Sequence, residues 1–294
     1  MNSREKILLA LLESFGGDLP NTDMQKYLFL LCQERNMSHY QFVPYKYGCF
    51  SFQAYNDKRK LSAKGILVEG DKWRLADGEK GYIDQLSFFE KNSINRIKDN
   101  FCSLRGDSLI RYVYRKYPFY AINSEIVTKL MNKDEQETIN RLRPKNQNMG
   151  LYTIGYEGRS LEEFLNVLIK VDVKLLCDVR KNPISRKYGF SKKTLQNALE
   201  SVGIKYCHFP EVGINSDKRK NLKNLYDYKI LFKEYERNTL RKANDVIETI
   251  YHLLIEKKRI ALTCFEKDPN KCHRTLVAKA VTDLDDNEMI IRNL

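Results

Sequence analysis

One stretch near the C-terminal end constrains the chain more than any other: Leu262-Thr263-Cys264-Phe265-Glu266-Lys267-Asp268-Pro269-Asn270-Lys271-Cys272-His273-Arg274. The run from Arg259 to Phe265 is apolar and of strand length. Asp268-Pro269 reads as a helix start, since Asp accepts from the free N–H groups of a first turn and Pro suits the first helical position. Val277, Ala280, Val281 and Leu284 then fall on one helical stripe. A buried strand passing through a loop into a helix is the unit of a parallel α/β sheet. It gathers Glu266, Asp268, Cys272, His273 and Arg274 at a strand C-terminus, where open α/β sheets bind ligands. The neighbouring helix N-terminus attracts anions.

The residues before this stretch repeat the theme. Leu151 to Tyr156 is a short strand, Ser160 with Glu163 is a capping box, and Phe164, Val167 and Leu168 give the helix its apolar stripe. Val173 to Arg180 is the next strand, Ser191 opens a helix through Leu195, Ala198 and Leu199, and Gly203 to Phe209 is a third strand. A long helix covers about 230 to 256. Strand, helix, strand at this spacing implies right-handed parallel crossovers. The expected class is therefore α/β, a Rossmann-like, mostly parallel sheet domain over residues 151–294. Each strand exit is polar: Tyr156 and Glu157, Asp178 and Arg180, His208 and Glu211, then Glu266 to Arg274. A parallel sheet brings such exits to one edge, so a shared cleft is expected there.

The first half reads differently. Ile7, Leu8, Leu11, Leu12 and Phe15 recur at helical spacing, Thr22 and Gln25 resemble a capping box before Met24, Leu28 and Leu31, and Ser51 to Ala63 is a third helix. Gly65 to Leu75 reads as two short strands about Gly70-Asp71. Three helices and a hairpin is the order of a winged helix, so residues 1–80 are expected to form a mostly α winged-helix-like domain. Residues 81–150 are expected to be a helical spacer ending in a polar linker from Asn132 to Gly150. Lys58, Arg59 and Lys60, with Lys64, put positive charge on the third helix, which suits phosphate contact or merely a solvated face.

Two resemblances follow from these motifs. Tyr40, Phe42, Pro44, Tyr47, Gly48, Phe50 and Ser51 resemble the pattern of the Panacea (antitoxin-like) domain family, which implies a protein or DNA partner for the N-terminal domain. Residues 151 to about 282 resemble the DUF488 family through Thr153 to Gly158, Asp178-Val179-Arg180 with Pro183 and Ser185, His208 to Gly213, and Cys264-Phe265-Glu266 through Asp268-Pro269 to Cys272-His273-Arg274. Val212 stands where that family usually has Leu. The resemblance implies a fold and a site, not a reaction.

Charge and chemistry narrow the function. The 294-residue chain carries a formal net charge of +13, which favours an anionic partner and above all DNA. Its seven Cys form no disulfide framework, which suits a reducing cytoplasm; the apolar run at Ile7 to Leu12 is too short for a signal peptide or a membrane span. Glu157, Asp178 and Glu266 are candidate catalytic carboxylates, with salt bridges to Arg180 or Arg274 as the plainer alternative. His208 and His273 are candidate acid–base groups. Tyr156, Arg180, Glu211 and Arg274 are candidate substrate contacts. Cys264, Cys272 and His273 are types that bind metal, but their spacing departs from zinc knuckles, so neither metal nor cofactor is expected. Cys272, on a helix's first turn, could be a nucleophile of lowered pKa, but such a Cys is more often packing, and Cys264 reads as packing too. Lys218, Arg219 and Lys220 alternate with Tyr226, Tyr228 and Tyr235 in a pattern that suits nucleic acid. The expected function is a DNA-acting enzyme, a glycosylase hydrolysing the N-glycosidic bond of a flipped base, with modified or foreign DNA as substrate. A metal-dependent nuclease and a non-catalytic nucleotide- or DNA-binding regulator are the alternatives.

Overall fold

The computed structural model describes residues 1–34, 39–219, 222, 224–285 and 289–294. They form two compact units, Met1–Arg143 and Pro144–Leu294.

Unit 1 opens with α1 (Ser3–Ser14), started by a reciprocal capping box between Asn2 and Glu5. Then come β1 (Asp18–Leu19), α2 (Asn21–Glu34), a hairpin of β2 (Val43–Tyr45) and β3 (Gly48–Phe50), α3 (Phe52–Ala63) and β4 (Trp73–Arg74). β1 pairs antiparallel with β4, and Leu67 bridges Leu75. The expected three helices and hairpin are met with two differences: a β2–β3 hairpin precedes the third helix, and one expected wing strand is only the single Leu67–Leu75 bridge. Gly48 turns the hairpin at φ 91°, and a Cβ there would meet the Tyr114 ring at 2.5 Å. Only glycine suits both demands.

Four more helices complete unit 1: α4 (Phe88–Phe101), α5 (Asp107–Lys116), α6 (Val127–Leu130) and α7 (Lys133–Leu142). α4 packs on α1 and α2, and α5 on α2, burying Ile94, Ile97, Leu109 and Val113. Where sequence pattern suggested a linker from Asn132, α7 stands instead. Asn132 and Glu135 cap it reciprocally and Ile139 is its one buried side chain, too sparse a stripe for periodicity to reveal.

Lys58 on α3 is not a phosphate contact. Its ammonium is buried, donates to Asn21 Oδ1 at 3.2 Å and Gly70 O at 2.9 Å, and lies 5.4 Å from the Trp73 ring centre. Arg59, Lys60 and Lys64 remain exposed.

Unit 2 is built on β5 (Gly150–Gly155), β6 (Leu175–Asp178), β7 (Lys205–His208), β8 (Arg259–Cys264) and β9 (Ile291–Asn293), in the order β7-β6-β8-β5-β9. Every pairing is parallel. The helices are α8 (Leu161–Lys170), α9 (Lys192–Glu200), α10 (Leu225–Asn238), α11 (Asn244–Lys257) and α12 (Arg274–Thr282). β8 is central and all six of its residues are buried, which is why it reads as an unbroken apolar run rather than an alternating one. α11 and α12 pack on it, and Leu151, Leu262, Ile250, Leu254 and Val277 share one core cluster. Arg259 fixes the start of β8 by donating to Val171 O and Asn148 O. Among the described residues no helix is long and apolar enough to cross a membrane.

Candidate active site at the strand ends

The register places the chemistry in a row. Gly155 pairs with Cys264, Asp178 with Thr263, and Asp178 also with His208. Above this edge lies a cavity of about 460 Å³ whose wall includes Tyr156, Arg180, Arg219, Cys264, Glu266 and His273. A second cavity of about 640 Å³ shares Arg219, Phe265 and Glu266 and adds Glu157, Tyr228 and Phe232.

The exit of β6 is a closed network. Asp178 is fully buried and accepts from the Arg180 backbone N–H at 3.1 Å, from Arg180 Nε at 2.8 Å and Nη2 at 2.5 Å, and from Tyr206 Oη at 2.7 Å. Arg180 Nη1 donates onward to Tyr156 Oη at 3.0 Å and Phe190 O at 2.8 Å. The Tyr156 ring stacks on Phe190, with centroids 4.3 Å apart. Asp178 therefore has no exposed surface or spare lone pair for a proton-transfer role. It orients Arg180, whose guanidinium is largely spent on protein partners. The ion pair matches the plainer alternative weighed for these carboxylates.

The exit of β8 is different. His273 is buried and its Nε2–H donates to Val179 O at 2.9 Å, which turns Nδ1 inward as an acceptor. Arg219 Nη2 donates to that Nδ1 at 2.5 Å, and its two terminal nitrogens lie 4.0 and 3.9 Å from Cys264 Sγ. Arg219 Nη1 also pairs with Glu266 Oε1. Glu266 Oε2 is buried with no hydrogen-bond partner. Cys264 Sγ lies 3.9 Å from His273 Nδ1. The Cys264 thiol is held well below its ordinary pKa of 9.0 by a hydrogen bond from Cys272, against the opposing cost of burial, and by His273 and Arg219 beside it. Cys272 is pushed up, first by burial and then by Cys264. Glu266 is raised by burial and by the neighbouring thiolate, although Arg219 pulls the other way. The site thus holds an acidified thiol at the cavity wall, a guanidinium against it, and a carboxyl group with an oxygen to spare.

Both cysteines are buried in the core cluster, as the packing expectation has it. Beyond packing, Cys264 also lies in the cavity wall beside His273 and Arg219, partners that arrive from other elements and carry no signal in the local sequence.

Several other candidates lie elsewhere. Glu157 is exposed and accepts from the Lys267 backbone N–H at 2.9 Å, so it braces the loop after β8 and faces the second cavity. His208 Nε2–H donates to Arg180 O at 2.8 Å and Nδ1 accepts from Lys192 Nζ at 3.3 Å. Both ring nitrogens are occupied on a strand at the sheet edge, outside the wall of the 460 Å³ cavity. Glu211 is exposed and belongs to a separate small cavity. Arg274 is buried and donates to Glu266 O at 2.5 Å, Lys267 O at 3.2 Å and Thr153 Oγ1 at 3.2 Å. It is a clamp on the loop rather than a substrate contact. The loop it clamps presses on β5: a Cβ at Gly155 would lie 1.8 Å from Glu266 O.

The basic run before α10 also divides. Lys218 pairs with Glu234 at 2.5 Å, Arg219 turns into the site, and Lys220 lies outside the described residues. Tyr235 is buried, donates to Val212 O at 2.7 Å and sets its ring edge against His273, whereas Tyr226 is exposed. Arg219, expected on a nucleic-acid surface with Lys218 and Lys220, instead points inward to Glu266, His273 and Cys264. Its charge run gave no sign that one member faced inward.

Cys264 Sγ, Cys272 Sγ and His273 Nδ1 lie within 4.8 Å of one another, a donor set that zinc can use. The Arg219 guanidinium, however, already engages Cys264 and His273 and supplies the positive charge a dication would bring. The donor set suits an arginine-stabilised thiolate better than a metal.

The five parallel strands, with reactive groups collected at their C-terminal edge, define unit 2 as a strand-end α/β domain. Residues 160–281, within unit 2, match the family described as "Domain of unknown function DUF488". No curated protein and no solved structure matches the chain.

Proposed function

We propose that unit 2 is an enzyme that transfers a group from a phosphate-bearing substrate by way of the Cys264 thiolate. The observation that carries this reading is the convergence on Cys264 of Cys272, His273 and Arg219, in the wall of a cavity at a parallel sheet's C-terminal edge. Acidified thiols are nucleophiles at neutral pH. Exposed Lys181 and Arg186 also line that cavity and suit an anion. Cys264 attacks the electrophilic atom, the bond to the leaving group breaks, and the leaving group takes up a proton relayed from solvent through the Glu266 carboxyl. An acceptor, water in the simplest case, then releases the group from sulfur while Glu266 relays a proton back. Nucleic acid is the substrate source favoured by the net charge of +13. The exposed Arg59, Lys60 and Lys64 of unit 1 supply further phosphate contacts.

The N-glycosidic cleavage expected from sequence is the second reading. It keeps one supporting observation, the raised pKa of Glu266, which suits a general acid on a departing base. Of the expected carboxylates only the exposed Glu157 shares a cavity with Glu266, the one of 640 Å³; Asp178 and Glu211 do not line either cavity that Glu266 lines. One experiment separates the two. A panel of modified and unmodified oligonucleotides is incubated with the protein, quenched in denaturant, and read by intact mass and by alkali-sensitive cleavage. Thiol chemistry predicts a substrate-derived mass increment on the peptide of Cys264, lost in Cys264→Ser. Free base and abasic sites produced undiminished by Cys264→Ser would overturn it in favour of the glycosylase.

A further inference from the structure

Cys264 and Cys272 are both free thiols, both buried, and their sulfurs lie within 4.8 Å of each other. They come from opposite ends of one tight loop. Cys264 ends β8, and Cys272 follows the turn Pro269–Lys271 immediately before α12. Arg274 holds the intervening backbone on β5, so the two thiols are kept close by structure unrelated to either. Cys264 lines the 460 Å³ cavity and Cys272 does not, which gives a small solute access to one sulfur first. Arg219 stands against the same sulfur, where its charge favours departure of hydroxide.

We infer that Cys264 and Cys272 form a peroxide-closed pair: hydrogen peroxide oxidises Cys264, Cys272 resolves it, and the resulting disulfide masks the nucleophile until a thiol reduces it. In the first step the Cys264 sulfur attacks peroxide, the O–O bond breaks, an S–OH bond forms, and hydroxide leaves and becomes water by taking up the proton that the Cys264 thiol has given up. In the second the Cys272 sulfur attacks that sulfenic sulfur, the S–O bond breaks, and hydroxide leaves with the Cys272 proton as water. Two thiols lose one electron each and peroxide gains two. The sulfurs must approach from within 4.8 Å to the bonding distance of about 2.05 Å, a shift that side-chain rotation in a short loop supplies. The loss of activity rests on the proposed role of Cys264; formation of the disulfide does not.

The test uses the full chain, reduced and desalted, then exposed to stoichiometric hydrogen peroxide. Remaining thiols are blocked with N-ethylmaleimide in denaturant and peptides are mapped by mass. Exposed Cys102 is the internal reference. The pair should appear as a linked Cys264–Cys272 peptide, reversed by dithiothreitol, forming about tenfold or more faster than Cys102 is oxidised. Cys272→Ser should leave a dimedone-reactive sulfenic acid at Cys264, while Cys264→Ser should leave Cys272 unmodified. If either variant fails to fold, the wild-type time course decides alone. Oxidation of Cys102 ahead of Cys264, or overoxidation of Cys264 without linkage to Cys272, would overturn the inference. Linkage with turnover intact would support the pair and contradict the nucleophile.

Discussion

The exits of β6 and β8 look alike in sequence and do opposite things. Each is an apolar strand followed by an acidic residue and an arginine nearby. At β6 the carboxylate of Asp178 is fully enclosed by Arg180 and Tyr206, and the arginine is spent on Tyr156 and Phe190. At β8 the carboxyl of Glu266 keeps an unpartnered oxygen, and the thiol of Cys264, held below its ordinary pKa by Cys272, His273 and Arg219, lies at a cavity wall. Buried polar groups are ordinarily satisfied, and a satisfied network specifies structure. A network with capacity left over, open to a cavity, is where a substrate completes the bonding. Arg274 makes the same point within β8 itself, since it follows His273 directly yet belongs to the structural kind.

The comparison can be broken by substitution. Cys264→Ser should lower turnover on the order of 10³-fold or more, because it removes the group on which the reaction is built. Its thermal unfolding should stay near wild type. Asp178→Asn should do the reverse. It strands a buried guanidinium and should cost about 3–5 kcal/mol in urea unfolding, as breaking a buried ion pair does. If Asp178→Asn folds normally and loses activity alone, the β6 exit belongs to the chemistry after all.

Smaller effects sharpen the same contrast. Gly155→Ala should destabilise unit 2 by about 1–3 kcal/mol, since its methyl group meets the Glu266 carbonyl and the loop must move. Arg219→Gln should raise the inflection of Cys264 alkylation and slow alkylation at pH values below that inflection. The direction follows from Arg219 lowering the thiol. The smallest effect concerns unit 1. Replacing both Arg59 and Lys60 by Ala should reduce the salt dependence of DNA binding by about two phosphate contacts, whereas Lys58→Met should leave that slope unchanged. An equal effect of Lys58 would mean that its buried ammonium is released on binding.

Much of this was legible in the residues. The unbroken apolar run of β8, the Ser160–Glu163 capping box and the spacing of strands and helices announced a parallel sheet. The polar exits located the edge that carries the site. Partner choice was not legible. Asp178 and Arg180 lie two apart on an extended segment and could have faced substrate or each other. Only the packing of Tyr206 from the neighbouring strand closes that network. Arg219 lies 45 residues before Cys264 within a run of surface-like charge, and nothing local distinguishes it from Lys218. Cys264 was legible as a core residue but its neighbours were not, for the same reason: a residue on a central strand carries no sign of the arginine that will reach it.

The most direct test is the pH profile of iodoacetamide alkylation, read site by site by mass spectrometry on the native chain. The account predicts that Cys264 is modified with an inflection well below 9, at lower pH than the exposed Cys102, while Cys272 stays unmodified. A Cys264 that tracks Cys102 across the range, or resists alkylation while Cys272 reacts, would contradict it.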